Sequence, residues 1–454
     1  MKVIPFLPQR KIQSFAQKSS GASSPQSHLT CQPPSLNELL LGRSYCRNEQ
    51  ALHPCNTILC DLSLAEQDVK FALVTIPSST IYKILKINNM RDAQAREQAR
   101  RMGYVWMIIA YREYTKSGYE RNSKKFNKNA LDLDLSDKVV IVTGANSGLG
   151  KDIAAELFKR GALVHMLCRN EKTGEEARKD ILGQINGDAS SSGDNVNDET
   201  NQKSKVVFDE NRLRLHKVDI SDLKRVKEFV KEFESDGDGK CHILINNAGV
   251  MVNERSTTPY GVETNFSINT LGTYYLTKSL VPLLQKSGPG SRVVTVSSGG
   301  MLANKLDVTD LECKKMKQFD GTMAYAQNKR QQVELTNYWS QQYPESTTGI
   351  KFLSMHPGWV DTPGIRTSLE TFYKHLKNQL RSVDQGIDTV LWAAFSKEVS
   401  DIPSGSFLFD RQVASQHLPL APTKSTQQEV EALVEQIDNY VDIALNFEQR
   451  SSSY

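Results

Sequence analysis

Val139-Val140-Ile141-Val142-Thr143-Gly144-Ala145-Asn146-Ser147-Gly148-Leu149-Gly150 decides the fold. Its first four residues are β-branched and uninterrupted by a polar side chain, the pattern of a strand buried on both faces. Three glycines follow, at 144, 148 and 150, and then a helical stretch from Lys151 to Arg160. A turn this tight, whose backbone must also come close to a pyrophosphate, calls for glycine. The helix N-terminus behind it favours negative charge. The spacing is G-x-x-x-G-x-G. Glycines alone are a weak signal; between a strand and a helix at the start of a βαβ unit they are a good one. Ser147 and Leu149 share the turn with Gly144, Gly148 and Gly150, and all five are candidate cofactor contacts.

The alternation continues outward from this unit. Leu163 to Leu167, Leu213 to Val218, Ile243 to Asn246, Val293 to Ser297 and Lys351 to Met355 read as strands. Lys172 to Ile185, Leu223 to Phe233, Gly261 to Gln285 and Ala324 to Tyr343 read as helices between them, with Ser404 to Phe409 as a last strand. Such a succession predicts an α/β fold with a doubly wound parallel sheet of Rossmann type over residues 137–425. Residues 426–454 form a C-terminal helix and tail, with an amphipathic helix from Gln427 to Phe447. Residues 187–205 are Ser, Asn, Asp and Gly with hardly an apolar side chain, and read as a disordered surface insertion.

Upstream, residues 1–101 do not read as a domain. Ser19 to Ser35 is rich in Ser, Gln and Pro, so a low-complexity or disordered extension is expected. Residues 102–136 form a lead-in helical segment. Its apolar piece, Tyr104 to Tyr111, is too short to cross a bilayer. It suits packing on the domain or lying on a membrane surface. The basic residues Arg112, Lys116, Arg121, Lys124, Lys125 and Lys128 would add weak attraction to anionic lipid through 102–128.

Composition narrows the function. A net charge of +4 over 454 residues is too small for a nucleic-acid binder, and none is expected as partner. Of seven cysteines none forms a C-x-x-C pair. Cys31, Cys46, Cys55 and Cys60, with His28 and His53 nearby, fit no common zinc spacing, so no metal site is expected. Reduced thiols imply a reducing compartment. The expected location is the cytoplasm, with a peripheral membrane contact left open.

Which dinucleotide binds is read at the end of the second strand. NAD sites usually carry an acidic residue there for the ribose hydroxyls. This chain has Cys168-Arg169, and a guanidinium pairs with a 2′-phosphate, so NADP is favoured over NAD. Arg169 in a surface ion pair is the alternative. Asp219, after the third strand, fits either an adenine amine or a helix N-cap. Asn246-Asn247-Ala248-Gly249 follows the fourth strand at the carboxyl edge of the sheet, where ligands bind in such folds, which places Asn247 and Gly249 against the dinucleotide.

The chemistry is carried by Tyr325 and Lys329, four residues apart and so about one turn apart on one helix face. A free phenol titrates near ~10, and a neighbouring ammonium lowers that value. The pair is expected to give or take a proton at a carbonyl or alcohol oxygen.

Together these residues resemble the short-chain dehydrogenase/reductase superfamily over about Asp137 to Val413. The resemblance rests on the Thr143–Gly150 turn, Asn246-Asn247-Ala248-Gly249, Ser297-Ser298, Tyr325-x-x-x-Lys329, and Pro357-Gly358-Trp359-Val360-Asp361-Thr362. Arg112 to Glu120, Val296 to Leu302, Phe319 to Met323 and His356 to Trp359 point to a narrower branch, in the family's dehydrogenase/reductase group.

The resemblance implies Tyr325 as general acid. Lys329 would lower its pKa and hold the nicotinamide ribose. Ser298 would fix the substrate oxygen, with Ser297 as runner-up. Asn269 would hold a water linking Lys329 to solvent, a role compatible with a structural hydrogen bond. Thr362 would contact the nicotinamide carboxamide. The long Ser298–Tyr325 separation is similar to the retinol-dehydrogenase-like branch, so the inserted loop should border the substrate mouth.

The expected activity is an NADP(H)-dependent oxidoreductase acting on an apolar carbonyl or alcohol of the retinoid, steroid or lipid-aldehyde class. The alternative is an NADP-binding sensor or scaffold without turnover. Met301, Leu302, Trp359, Phe372 and Tyr373 suggest an apolar pocket, though each also fits a core position. Family members often pair through their two long helices, here Gly261 to Gln285 and Ala324 to Tyr343, so a homodimer is a further expectation.

Overall fold

The computed structural model describes residues 106–107, 109–191, 209–236, 239–418 and 422–447. The expected extension over 1–101, with its four cysteines, and most of the 187–205 insertion lie outside the described residues.

Among the described residues eight strands form one sheet: β1 (Val139–Thr143), β2 (Leu163–Cys168), β3 (Leu213–Lys217), β4 (Ile243–Asn246), β5 (Ser291–Val296), β6 (Ile350–Met355), β7 (Phe407–Phe409) and β8 (Gln412–Val413). Their order is β3-β2-β1-β4-β5-β6-β7-β8, parallel throughout except for β8. The chain leaves β1 toward β2 and β3, then returns to β4 on β1's other side. Beyond the carboxyl ends of β1 and β4 the crossovers diverge and open a crevice, the position at which doubly wound sheets bind ligands. Val140, Ile141 and Val142 are fully buried, as an apolar run covered by helices on both faces demands.

Several elements differ from the expected ones. The helix Val383–Phe395, which supplies the β6–β7 crossover, was not among them. Every residue from Gly386 to Phe395 is buried, so it carries no polar stripe from which a helical period can be read. The long helix expected from Gly261 begins at Thr264. Gly261 has φ +83° and closes a turn, and Glu263 accepts hydrogen bonds from the backbone N–H of Asn265 and Phe266 to start the helix. After Thr264–Phe266 comes a π-helical turn, Ser267–Gly272, and then Thr273–Lys286. At Gly272 a Cβ would sit 2.0 Å from the Ile220 carbonyl oxygen, so only glycine permits this approach. The antiparallel β8 was also missed. Its two-residue turn, Asp410-Arg411, has φ +47° and +55°. The primed hairpin turn normally announces itself with Asn-Gly or Asp-Gly, and here no glycine marks it.

The C-terminal helix Gln427–Leu445 buries Leu433, Val434, Ile437, Val441 and Ala444 in the cluster that also holds Leu271, Leu276, Leu335 and Trp339. Tyr274 and Lys278 both donate to Asp438 Oδ1, at 2.9 and 2.7 Å. The chain's own helix thus covers part of the surface on the two long helices that the pairing of two copies was expected to use. The lead-in segment is helical over 109–114 and again over Lys116–Asn122. Met107, Ala110 and Tyr114 are buried in a cluster with Met301, Val333 and Trp359, so these apolar side chains pack on the domain. No helix among the described residues is long and apolar enough to cross a membrane.

Candidate active site

One cleft of about 2280 Å³ runs from the glycine turn after β1 to the N-terminal part of the helix Gly321–Gln342. At its first end Gly144 and Gly148 have φ +65° and +53°, the left-handed region that other residues enter only with strain. A Cβ on Gly150 would lie 2.3 Å from the Gly144 carbonyl oxygen and 2.4 Å from Asn247 Nδ2. Ser147 precedes the helix Gly148–Lys159 without its hydroxyl capping it. Leu149 lines the cleft and packs against the core beneath it. The turn therefore presents bare backbone and the start of a twelve-residue helix to the cleft, which suits a phosphate group.

Along the cleft, Arg169 follows β2, is exposed, and forms no ion pair among the described residues. Asp219 lines the cleft after β3, and its Oδ1 accepts from the backbone N–H and hydroxyl of Ser221 at 2.9 and 2.7 Å. It is not the helix cap: Asp222 takes that position, accepting from the backbone N–H of Lys224 and Arg225. Asn247 reaches the cleft wall, but its side-chain amide donates to the Thr143 carbonyl at 2.9 Å and braces the glycine turn. A Cβ on Gly249 would lie 3.4 Å from Lys329 Nζ and 3.3 Å from Asn269 Oδ1, which places the fourth-strand turn directly against the candidate catalytic residues. Thr362 stands beside Gly148, its Oγ1 accepting from Ile365 N at 3.4 Å.

The other end holds the reactive groups. Lys329 is buried, with Nζ 5.3 Å from the Tyr325 ring centre. That ammonium donates to the Val296 carbonyl at 2.8 Å and to Gln332 Oε1 at 3.1 Å. Ser298 and Tyr325 are half-buried and line the cleft. The hydroxyl of Ser297 points the other way and donates to the Lys329 carbonyl at 2.9 Å. Asn269 stands behind the cleft in the π-helical turn. Its side chain donates to the Val250 carbonyl and accepts from the Val250 N–H, both at 2.8 Å. Its own carbonyl accepts from Gln332 Nε2 at 2.6 Å.

One expectation changes here, and one contact had not been expected. Burial pushes the Tyr325 phenol up to about 12, and a hydrogen bond with Ser298 acts in the opposite direction. Burial alone brings Lys329 down to about 7. Desolvation is the leading cause at both groups, and it moves the phenol in the direction opposite to the one the Tyr–Lys spacing suggested. Secondly, a side chain joins Lys329 to Asn269. The Gln332 amide accepts from the Lys329 ammonium and donates to the Asn269 carbonyl. Sequence reading passed over Gln332 because it lies outside every quoted motif. Its spacing of three from Lys329 on one helix face was the available signal.

The loop between Ser298 and Tyr325 borders the cleft through Ala303, Asp307, Lys315, Lys317 and Phe319, as its length suggested. Of the five expected apolar residues, Trp359 and Phe372 line the cleft, while Met301 and Leu302 are buried in the core. Tyr373 packs against the same cluster. Trp106 and Met107 of the lead-in also line the cleft, and no motif marked them.

Comparison with known proteins agrees with this geometry. The short chain dehydrogenase family model matches residues 138–209 and 195–371. The chain is 46% identical over 331 residues to the Homo sapiens protein named dehydrogenase/reductase SDR family member 12, a match covering 73% of this chain and 95% of that protein. The Bos taurus protein of the same name is 45% identical over the same shares. Retinol dehydrogenase 12 of Mus musculus is 32% identical over 280 residues, 61% of this chain and 79% of that protein. The glycine turn, the Ser–Tyr–Lys cluster and these matches lead to one conclusion: the chain belongs to the short-chain dehydrogenase/reductase family and is an oxidoreductase of that family.

Proposed function

We propose that the protein reduces an apolar carbonyl, of the retinoid, steroid or lipid-aldehyde class, with NADPH as hydride donor. The observation that carries this reading is the convergence of Ser298, Tyr325 and Lys329 at the end of a cleft whose other end is the glycine turn. Bound NADPH supplies the hydride. Gly144, Ser147, Gly148, Leu149 and Gly150 would hold its pyrophosphate, and Asp219, Asn247, Gly249 and Thr362 the length of the molecule. Tyr325 and Lys329 would flank the nicotinamide end. Ser298 orients the substrate oxygen, and Tyr325 delivers a proton to it. A phenol near 12 keeps that proton until negative charge develops on the acceptor, which suits an acid working in the direction of reduction. Lys329, when protonated, stabilises the phenolate left behind. Asn269 and Gln332 fix the lysine's position. Purified protein with NADPH, assayed against retinal, a ketosteroid and fatty aldehydes, should consume NADPH with at least one class. Tight NADPH binding without consumption by any of them would favour a cofactor-binding protein without turnover.

Arg169 would read the 2′-phosphate, and Arg169→Asp should reverse the preference. A charge-assisted contact is worth roughly 1.5–3 kcal/mol, so NADPH affinity should fall about ten- to a hundredfold while NADH affinity rises. Titration by quenching of protein fluorescence measures both. An unchanged preference would assign the phosphate to another basic group.

The lysine predicts a pH profile. Protonation of Lys329 is complete well below pH 7 and is lost as the pH rises through about 7. The kcat for reduction should therefore decline above neutrality. Gln332→Leu removes an acceptor from the ammonium, so its pKa falls and the midpoint should move to lower pH by roughly one unit. A midpoint unmoved by the substitution would show that Gln332 does not act on the lysine.

A further inference from the structure

Trp106 and Met107 precede the residues matched by the family model, which begin at 138, yet both line the cleft that holds Ser298 and Tyr325. The Trp106 indole N–H donates to the Gly299 carbonyl at 3.1 Å, one residue past Ser298. With its polar atom engaged there, the ring offers only apolar surface. It meets Trp359 edge-on at 6.4 Å, and Trp359 meets Phe372 edge-on at 5.0 Å, so three aromatic rings form a continuous row. Met107 and Leu376 line the same cleft, and both are buried.

This row is held in fixed register with the site. The Trp359 N–H donates to the Tyr114 carbonyl at 2.8 Å. Arg381, itself buried, donates to the carbonyls of Glu113 and Tyr114 at 2.7 and 3.1 Å. An ordered aromatic row beside the reacting group, with no charge among its members, suits a substrate whose carbonyl carries an extended apolar tail.

We propose that Trp106 and Met107 of the lead-in form a wall of the substrate site, and that Trp106 is a specificity-determining residue selecting for the length of an apolar tail. The proposal rests on the carbonyl-reduction reading above. Along a wall of this kind each buried methylene contributes about fourfold. Full-length protein saturated with NADPH would be assayed against straight-chain aldehydes from butanal to dodecanal. In the wild type kcat/KM should climb with chain length and then level off. Trp106→Ala should lose about tenfold or more on the longest aldehydes and less than about twofold on butanal, with NADPH affinity unchanged. Trp106→Phe should keep most of the gain, and Met107→Thr should repeat the length-dependent loss if the alanine variant does not fold. An unchanged length profile, or an equal loss at every length, overturns the proposal. If the wild type reduces none of the aldehydes while binding NADPH, the activity reading fails. Calorimetric binding of 1-dodecanol to the NADPH complex then decides the wall: weaker binding to Trp106→Ala supports it, and equal or absent binding to both proteins overturns it.

Discussion

Tyr325→Phe should lower kcat/KM for carbonyl reduction by roughly 10²–10⁴-fold, the usual contribution of a positioned general acid. Phenylalanine keeps the ring over which Lys329 sits at 5.3 Å, so packing around the lysine and the cleft wall is preserved. What disappears is one hydroxyl. NADPH affinity and thermal stability should therefore stay close to wild type, which separates a chemical role from a structural one. Steady-state kinetics beside an NADPH titration make the check. A loss of less than about tenfold would mean that another group protonates the substrate oxygen.

Arg381→Ala should be the most destabilising of the single substitutions considered. Arg381 and Asp410 are each about 1% exposed, and the guanidinium donates to Asp410 Oδ1 and Oδ2 at 2.6 and 3.0 Å. It also donates to the Pro357 carbonyl at 3.4 Å and lies over the Phe409 ring at 4.9 Å. Gly358 has φ +84°, and a Cβ there would lie 2.3 Å from Arg381 Nε, so the chain leaves room for this one side chain. Removing the arginine strands a buried carboxylate and several carbonyls, at a cost of ~3–5 kcal/mol. At about 2–4 °C per kcal/mol for a domain of this size, Tm should fall by on the order of 10 °C. The double variant Arg381→Met with Asp410→Leu should recover part of that loss, because no unpaired charge remains. A shift of only a degree or two for Arg381→Ala would contradict the assigned role. The arginine ties the lead-in to the segment after β6 and to the β7–β8 turn, so the alanine variant should also be cut faster by protease near residues 106–122.

How much of this was legible in the sequence differs from residue to residue. The strand–turn–helix at Val139–Lys159 could be read because each of its features has a local cause: a β-branched run, obligatory glycines, a helical period. Tyr325 and Lys329 could be read because the chemistry fixes their spacing. Arg381 and Trp106 could not, because their roles depend on partners far along the chain. Arg381 meets Glu113 across 268 positions, and Trp106 meets Gly299 across 193. The helix Val383–Phe395 was hidden by its own burial, and the β7–β8 turn by the absence of glycine. The direction of the Tyr325 shift was misjudged for a related reason. Spacing reports the neighbour that would lower a pKa, whereas the burial that raises it is a property of the whole fold.

In the proposed reaction one cleft brings a nicotinamide hydride and the Tyr325 proton to the same carbonyl. The most direct measurement uses NADPH carrying deuterium at the transferable position of C4, with each aldehyde or ketone of the substrate panel, and mass spectrometry of the alcohol formed. One deuterium is expected on the carbinol carbon with wild type, and alcohol formation reduced to a trace with Tyr325→Phe. Labelled NADPH bound by the wild type, with no deuterium in any alcohol across the panel, would contradict it.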